Sequence, residues 1–357
     1  MTHPMRYAAY VAVLSLGVAS SAQADQLATS RAGMIAAAKK EGALDVVWST
    51  SLMGGASAIQ QYQAGFDKMF GLKLAITFAP GAEVARVGNQ LLAEMQAKQP
   101  ASTDIYIGAA AQTQPLIAKN LFMPVPWPTL EPKRISAADS EKDGRALRIQ
   151  TALSGVSYNT TLMPHPPKTL LGYLAPKWKG KLATTPYAAG FDILAANDFW
   201  GPTKSLDFVR KLSKQAAGLI RCGDIESLAD GEYAALVMDC ISNATLQWKA
   251  RGAPVAYSIP SDGAQKRFYY VSVPRNSAHP NAAVLFGLYL LSRSGQATMW
   301  RVAHTDLDSE PGSHMAKLVS RYEKRNVRFP EVTIDWWAKH PEINKTKDEM
   351  IKILSRK

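Results

Sequence analysis

The residues best placed to do chemistry are short runs of hydroxyl and small side chains where a strand gives way to a helix. Ser49, Thr50 and Ser51 follow an apolar strand at 44–48 and precede an amphipathic helix. Hydroxyls meet helix-start amides there, and those amides have no partners inside the helix, so the turn favours a carboxylate, phosphate or phosphonate. An ordinary helix cap would need only one of the three. Gly81, Ala82 and Glu83 repeat the arrangement after a second strand. Glu83 is placed to meet a ligand amine, or simply to complement the helix dipole. Small residues at 108–112, Ala109 among them, would let a ligand approach the backbone, as would a plain tight turn. In the second half of the chain, Thr185, Ala189 and Gly190 form the mirror feature at a strand end and helix start. Asp192 just beyond reads as a helix-start charge. Asp239, Ser242 and Asn243 complete a second rim. Tyr158 lies at the edge of an extended crossing, where its ring would stack on a ligand or pack the hinge.

Other constellations are missing from the sequence. His165, His279, His304, His314 and His340 show no metal-ligand spacing. Neither a G-x-S-x-G elbow nor a G-x-x-x-x-G-K-[ST] loop occurs. No cofactor and no catalytic residue are expected. The two cysteines, Cys222 and Cys240, permit one disulfide in an oxidising compartment, or two buried free thiols.

These turns are positioned by an alternation of strands and helices. Strands are expected at 44–48, 72–78 and 103–107, with helices after each. Ile59, Tyr62, Phe66 and Phe70 form one apolar stripe, and Val87, Leu91 and Met95 another. Such repeats imply a parallel sheet covered on both faces. A Pro-rich segment at 122–132 should be irregular. An extended strand at 146–158 then leads to a second block, with strands at 181–185, 218–221, 234–239 and 255–259. A second extended crossing at 266–273 returns the chain to an apolar helix at 281–292. The basic tail from Lys317 reads as surface. The order predicts two lobes whose carboxyl strand edges face a common crevice.

The first residues read as an export signal. Arg6 is followed by an apolar stretch at 7–18 and by Ala22-Gln23-Ala24, which predicts cleavage after Ala24. The formal charge is +12, but the basic residues are dispersed and carry no nucleic-acid fingerprint. The charge is read as solubility with a mild pull on anions, and nucleic acid is not an expected partner.

Several segments carry a family likeness. EGALDVVWSTS (41–51) and FDKMFGLKLAITFAPGAE (66–83) resemble bacterial extracellular solute-binding proteins of the ferric-iron, polyamine and phosphonate type. So do SYNTTLMPHPPKTLLGYLAPKWKGKLATTP (157–186), ADGEYAALVMD (229–239) and SVPRNSAHPNAAVLFGLYLLSRSGQ (272–296). The resemblance implies the α/β type-II periplasmic binding protein fold. Each of its two lobes is a mainly parallel sheet flanked by helices, and a two-strand hinge joins them. Residues 1–24 would be the signal peptide, 25–151 and 270–357 one lobe, and 152–269 the other. It further implies a periplasmic, monomeric receptor that delivers a small solute to an inner-membrane ABC permease and its ATPase. Family members known for ferric iron hold it with adjacent tyrosines. The matching turn here reads Asp239-Cys240-Ile241-Ser242-Asn243, and Tyr269-Tyr270 lies in the return crossing. A ferric-iron protein with a non-standard site and a secreted enzyme using Cys240 as nucleophile stand as alternatives, as does a sensor module.

Overall fold

The computed structural model describes residues 27–81 and 83–355. The expected signal peptide and Ala82 lie outside this range. The chain opens with α1 (Arg31–Glu41). Ser30 caps it by accepting the Gly33 N–H, and Gly42 ends it at φ 73°. Glycine adopts that left-handed backbone without a Cβ clash, so the chain turns directly into the first strand. There follow β1 (Ala43–Trp48), α2 (Thr50–Met53), α3 (Ala56–Phe70), β2 (Ala75–Pro80), α4 (Val84–Gln96), β3 (Tyr106–Ala109), α5 (Ala110–Ala118) and α6 (Trp127–Leu130). β4 (Ser140–Glu141), β5 (Ala146–Leu153) and β6 (Gly155–Asn159) make the first passage between lobes. The second lobe continues with β7 (Leu182–Thr184), α7 (Phe191–Leu194), α8 (Gly201–Gln215), β8 (Gly218–Leu219), α9 (Glu226–Ala229), β9 (Ala235–Asp239), α10 (Asn243–Ala250) and β10 (Val255–Ser258). The return consists of β11 (Lys266–Ser272), α11 (Pro280–Leu291), α12 (Arg293–Ala303), α13 (His314–Glu323), β12 (Glu331–Val332), α14 (Ile334–Ala338) and α15 (Glu342–Leu354).

The strand–helix repeats give the parallel pairs, β1 with β2, and β7 with both β8 and β9. The passages between lobes give the antiparallel ones. In the first lobe β11 pairs with β3 and with β5. In the second, the strand order is β10-β6-β9-β7-β8, with β6 antiparallel to β9 and β10. The single strand expected over 146–158 is therefore two strands in two different sheets, broken at Ser154. That break is the first passage, and residues between β10 and β11 make the second.

Each lobe has its own core. In the first, every residue of α11 is buried, as its all-round apolar sequence requires. Glu41 at the end of α1 accepts the Asn281 and Ala282 N–H groups at 3.0 and 2.8 Å, so it supplies both acceptor and charge to the start of α11. Phe286 stands among Trp48, Tyr62, Phe66 and Tyr289 with ring centroids 5.9–6.4 Å apart. The second core is built on Phe191, Phe208, Leu212, Val237 and Tyr173. Met350 and Leu354 of α15 belong to that second core. The last helix thus packs on α7 and α8, whereas the sequence placed all of 270–357 with the first lobe. The basic tail from Lys317, expected on the surface, buries Met350 and Leu354 of its last helix.

Cys222 and Cys240 form a disulfide with Cα atoms 5.5 Å apart. It joins the loop after β8 to the loop after β9, two strands that flank β7.

Candidate functional site

Between the lobes lies a cleft of ≈ 680 Å³, within the range of small-molecule sites. Helix starts converge on it from both sides. The first lobe contributes Thr50 of α2, Glu83 and Val84 at the start of α4, and Ala109 to Gln112 at the start of α5. The second contributes Ala189, Asp192 and Ile193 around α7, and Asn243, Ala244 and Gln247 of α10. Four helices, α1, α12, α13 and α14, are capped by hydroxyls: Ser30, Ser292, Ser313 and Thr333 each accept an N–H of the first turn. At α4, α5 and α7 the cap positions are Glu83, Ala109 and Gly190, and none makes a side-chain cap bond. Alanine and glycine have no acceptor to offer, so the first-turn amides of α5 are left to the cleft.

Three cations and two carboxylates line the walls: Arg221, Arg267 and Lys347 against Glu83 and Asp192. Arg267 is the most constrained. It stands on β11, the strand on which the lobes meet, and its guanidinium donates to the Cys240 carbonyl. Its Nε is buried with no hydrogen-bond partner. Among the described residues no carboxylate lies within ion-pair distance of Arg267, Arg221 or Lys347. Asp192 is buried, and burial raises its pKa, against the pull of Lys347 and Arg267. Its Oδ1 accepts the Gly190 and Ile193 N–H groups at 3.0 and 2.9 Å, so the carboxylate caps its own helix. Tyr187 accepts the Cys222 N–H at 2.6 Å. Its hydroxyl pKa is raised chiefly by burial, and the charge of Glu83 on the facing wall adds to this.

The sequence-chosen residues divide into two groups. Ser49, Thr50, Glu83, Ala109, Ala189 and Asn243 all line the cleft. Ser51 lies in α2, and Gly81 uses its N–H on the Trp48 carbonyl at 2.9 Å. Thr185 is buried and donates to the Tyr187 carbonyl at 2.7 Å. Tyr158 packs against the second core rather than the cleft. Ser242 is buried and does not line the cleft. Asp239 is fully buried beneath the disulfide, where it accepts the Ser157 hydroxyl and the Gly223 N–H. Burial pushes its pKa up to about 6. It positions the wall and does not form it. Arg221, Arg267, Tyr269, Trp337 and Lys347 line the cleft without having been singled out as ligand groups.

Neighbouring residues on a strand face opposite ways. Tyr269 lines the cleft, while Tyr270 is fully buried and donates to Glu141 Oε1 at 2.7 Å. The pair therefore does not present two phenolates to one ion. The bridged Cys240 has no free thiol to serve as a nucleophile.

Residues 57–305 match the profile of a family described as bacterial extracellular solute-binding protein. No curated protein matches the sequence. Among solved structures, the substrate-binding protein of an ABC transporter from Agrobacterium tumefaciens superposes with a TM-score of 0.70 at 14% identity, covering 87% of this chain and 94% of that one. Iron-bound HitA from Pseudomonas aeruginosa gives 0.67 at 14% identity, covering 87% and 99%. The periplasmic binding protein AfuA from Actinobacillus pleuropneumoniae, with fructose-6-phosphate bound, gives 0.61 at 18% identity, covering 74% and 85%. At these identities the likeness speaks for the fold.

Proposed function

This chain belongs to the bacterial extracellular solute-binding proteins, and from that premise we propose that it captures a small anionic or zwitterionic solute between its lobes. It then delivers the solute to an ABC permease driven by its ATPase. The observation that carries the charge of the solute is Arg267. A guanidinium at the hinge strand, with a buried Nε that has no hydrogen-bond partner and no ion pair among the described residues, is suited to an incoming carboxylate, phosphate or phosphonate. Arg221 and Lys347 add to the same sign, and the uncapped start of α5 supplies amides. Glu83 and Asp192 leave room for an amine on the same solute.

The mechanism is closure of the hinge. Contacts to both lobes exist together only when the lobes are shut, so solute shifts the population toward the closed form. Catalysis is not needed for this task. The expected setting is the periplasm, with the chain acting as a monomer after removal of the segment to Ala24. No helix among the described residues is long and apolar enough to cross a membrane.

A thermal-shift panel tests the reading. Organic phosphates, phosphonates or small carboxylates should raise the melting temperature more than spermidine or ferric citrate does. Stabilisation by only the polyamine or the iron salt would overturn it.

A further inference from the structure

The segment from β12 to α15 reads EVTIDWWAKHPEINKTKDEMIKIL, and it lies beyond the family-matched residues 57–305. Its first part is fixed to the first lobe. Ile334 and Trp337 sit in that core, and the Ile334 N–H donates to Glu141 Oε2 at 2.9 Å. Its second part is fixed to the other lobe, where Met350 and Leu354 join the second core and Ile351 and Ile353 pack against it. Between them, Trp336 Nε1 donates to Asp198 Oδ2 at 2.9 Å, and its ring packs on His340 and Phe199. Ile343 still belongs to the first core, so the chain passes from lobe to lobe a third time within α15, between Ile343 and Met350.

This third connection also faces the cleft. Val332 and Trp337 line it from the first-lobe end, and Lys347 and Ile351 from the second. Lys347 is half-buried rather than spread into solvent. Among the described residues no carboxylate pairs with it. Together with Arg267, it flanks the buried Asp192 carboxylate electrostatically. Its neighbours on α15 at Lys345 and Lys352 are exposed and lie off the cleft. A half-buried cation on the cleft wall, away from the two hinge strands and without an ion-pair partner among the described residues, is suited to a recognition role.

We propose that residues 331–354 form a third wall of the cleft and that Lys347 contacts the anionic group of the solute, jointly with Arg267, and so sets specificity. This rests on the reading of the cleft as an anion-capturing site. The full mature chain and its Lys347→Met, Lys347→Arg and Lys352→Met variants would be titrated calorimetrically with fructose 6-phosphate, methylphosphonate and succinate. Lys347→Met should weaken the best of these at least tenfold, on the scale of a lost charge-assisted hydrogen bond. Lys347→Arg should recover most of the affinity. Lys352→Met removes the same charge from the same helix and should leave affinity unchanged. Circular dichroism without solute should show the same fold in all four proteins. If the native chain binds a probe and Lys347→Met binds it equally well, the third wall does not read the solute, while the receptor reading stands. Equal losses from Lys347→Met and Lys352→Met would reduce the effect to net charge and also overturn the proposal. If the native chain binds none of the three probes, both readings fall.

Discussion

The guanidinium of Arg267 donates to the backbone carbonyl of Cys240, and so ties the hinge strand β11 to the disulfide-bearing loop of the second lobe. One side chain therefore joins the axis of closure, the wall of the cleft and a covalent cross-link. Replacing it by methionine keeps much of its length and removes the charge. Arg267→Met should lower affinity for an organic anion by about tenfold to a hundredfold, the scale of a lost hydrogen bond to a charged group. Arg267→Lys should recover only part, because an ammonium lacks the planar fork. Calorimetric titration of both variants checks this, and unchanged affinity in Arg267→Met would remove the residue from the site.

The disulfide closes a loop with a sequence separation of 18. Cross-linking over that length restricts the unfolded chain by about 3 kcal/mol. The Cys222→Ser/Cys240→Ser double variant should lose stability on that scale in urea unfolding. It should also bind solute more weakly, because Cys222, Gly223 and Cys240 form one wall. A variant with native affinity would show that the cross-link serves stability alone.

Asp239 gives a pH signature. Its carboxyl titrates at about 6 in the fold against an ordinary 3.8, because burial disfavours the charge. Between those values the folded chain holds a proton that the unfolded chain has released. This group's contribution is therefore fully present below pH 3.8 and is lost as pH rises through 6, about 3 kcal/mol in all. Asp239→Asn cannot ionise. Its stability relative to the parent should rise by about that amount between pH 4 and pH 8, whatever offset the altered hydrogen bonds to Ser157 and Gly223 introduce. Urea unfolding of both proteins at three pH values decides it, and a pH-independent difference would contradict the assignment.

Gly190 opens α7 at φ 90°, and a Cβ there would stand 3.0 Å from Met238 Cε and 3.3 Å from Ser154 Oγ. An L-side chain costs about 1–3 kcal/mol in such a sparsely populated backbone conformation. Gly190→Ala should lower stability by at least that much. It should also disturb Asp192, whose Oδ1 accepts the Gly190 N–H. Chemical unfolding together with solute titration would separate the two effects.

Much of this site was legible because strand-to-helix turns announce themselves locally. Ser49, Thr50, Ala109 and Ala189 line the cleft where helix starts meet small residues, a pattern visible in neighbouring positions of the sequence. The misses have two physical causes. Thr185 and Asp239 sit at strand ends, where a displacement of one residue turns a side chain from the cleft into the core. Arg267 and Lys347 come from an extended crossing and a terminal helix, so nothing in their neighbouring residues marks them. They reach the cleft only through the tertiary fold, which brings Lys347 into the electrostatic range of Asp192, more than a hundred residues away along the chain. The split of 146–158 at Ser154 was hidden for a related reason: apolar continuity shows burial but not a change of sheet.

Because α1 packs on α11 in one lobe and α15 on α7 and α8 in the other, the two ends of the described chain ride on opposite halves of the molecule. A donor fluorophore on an exposed position of α1, such as Lys39, and an acceptor on Lys352 would form a gauge of the angle between them. Energy transfer would then report each opening and shutting event on single molecules, with both dyes on exposed side chains that do not line the cleft and before the identity of the guest is known.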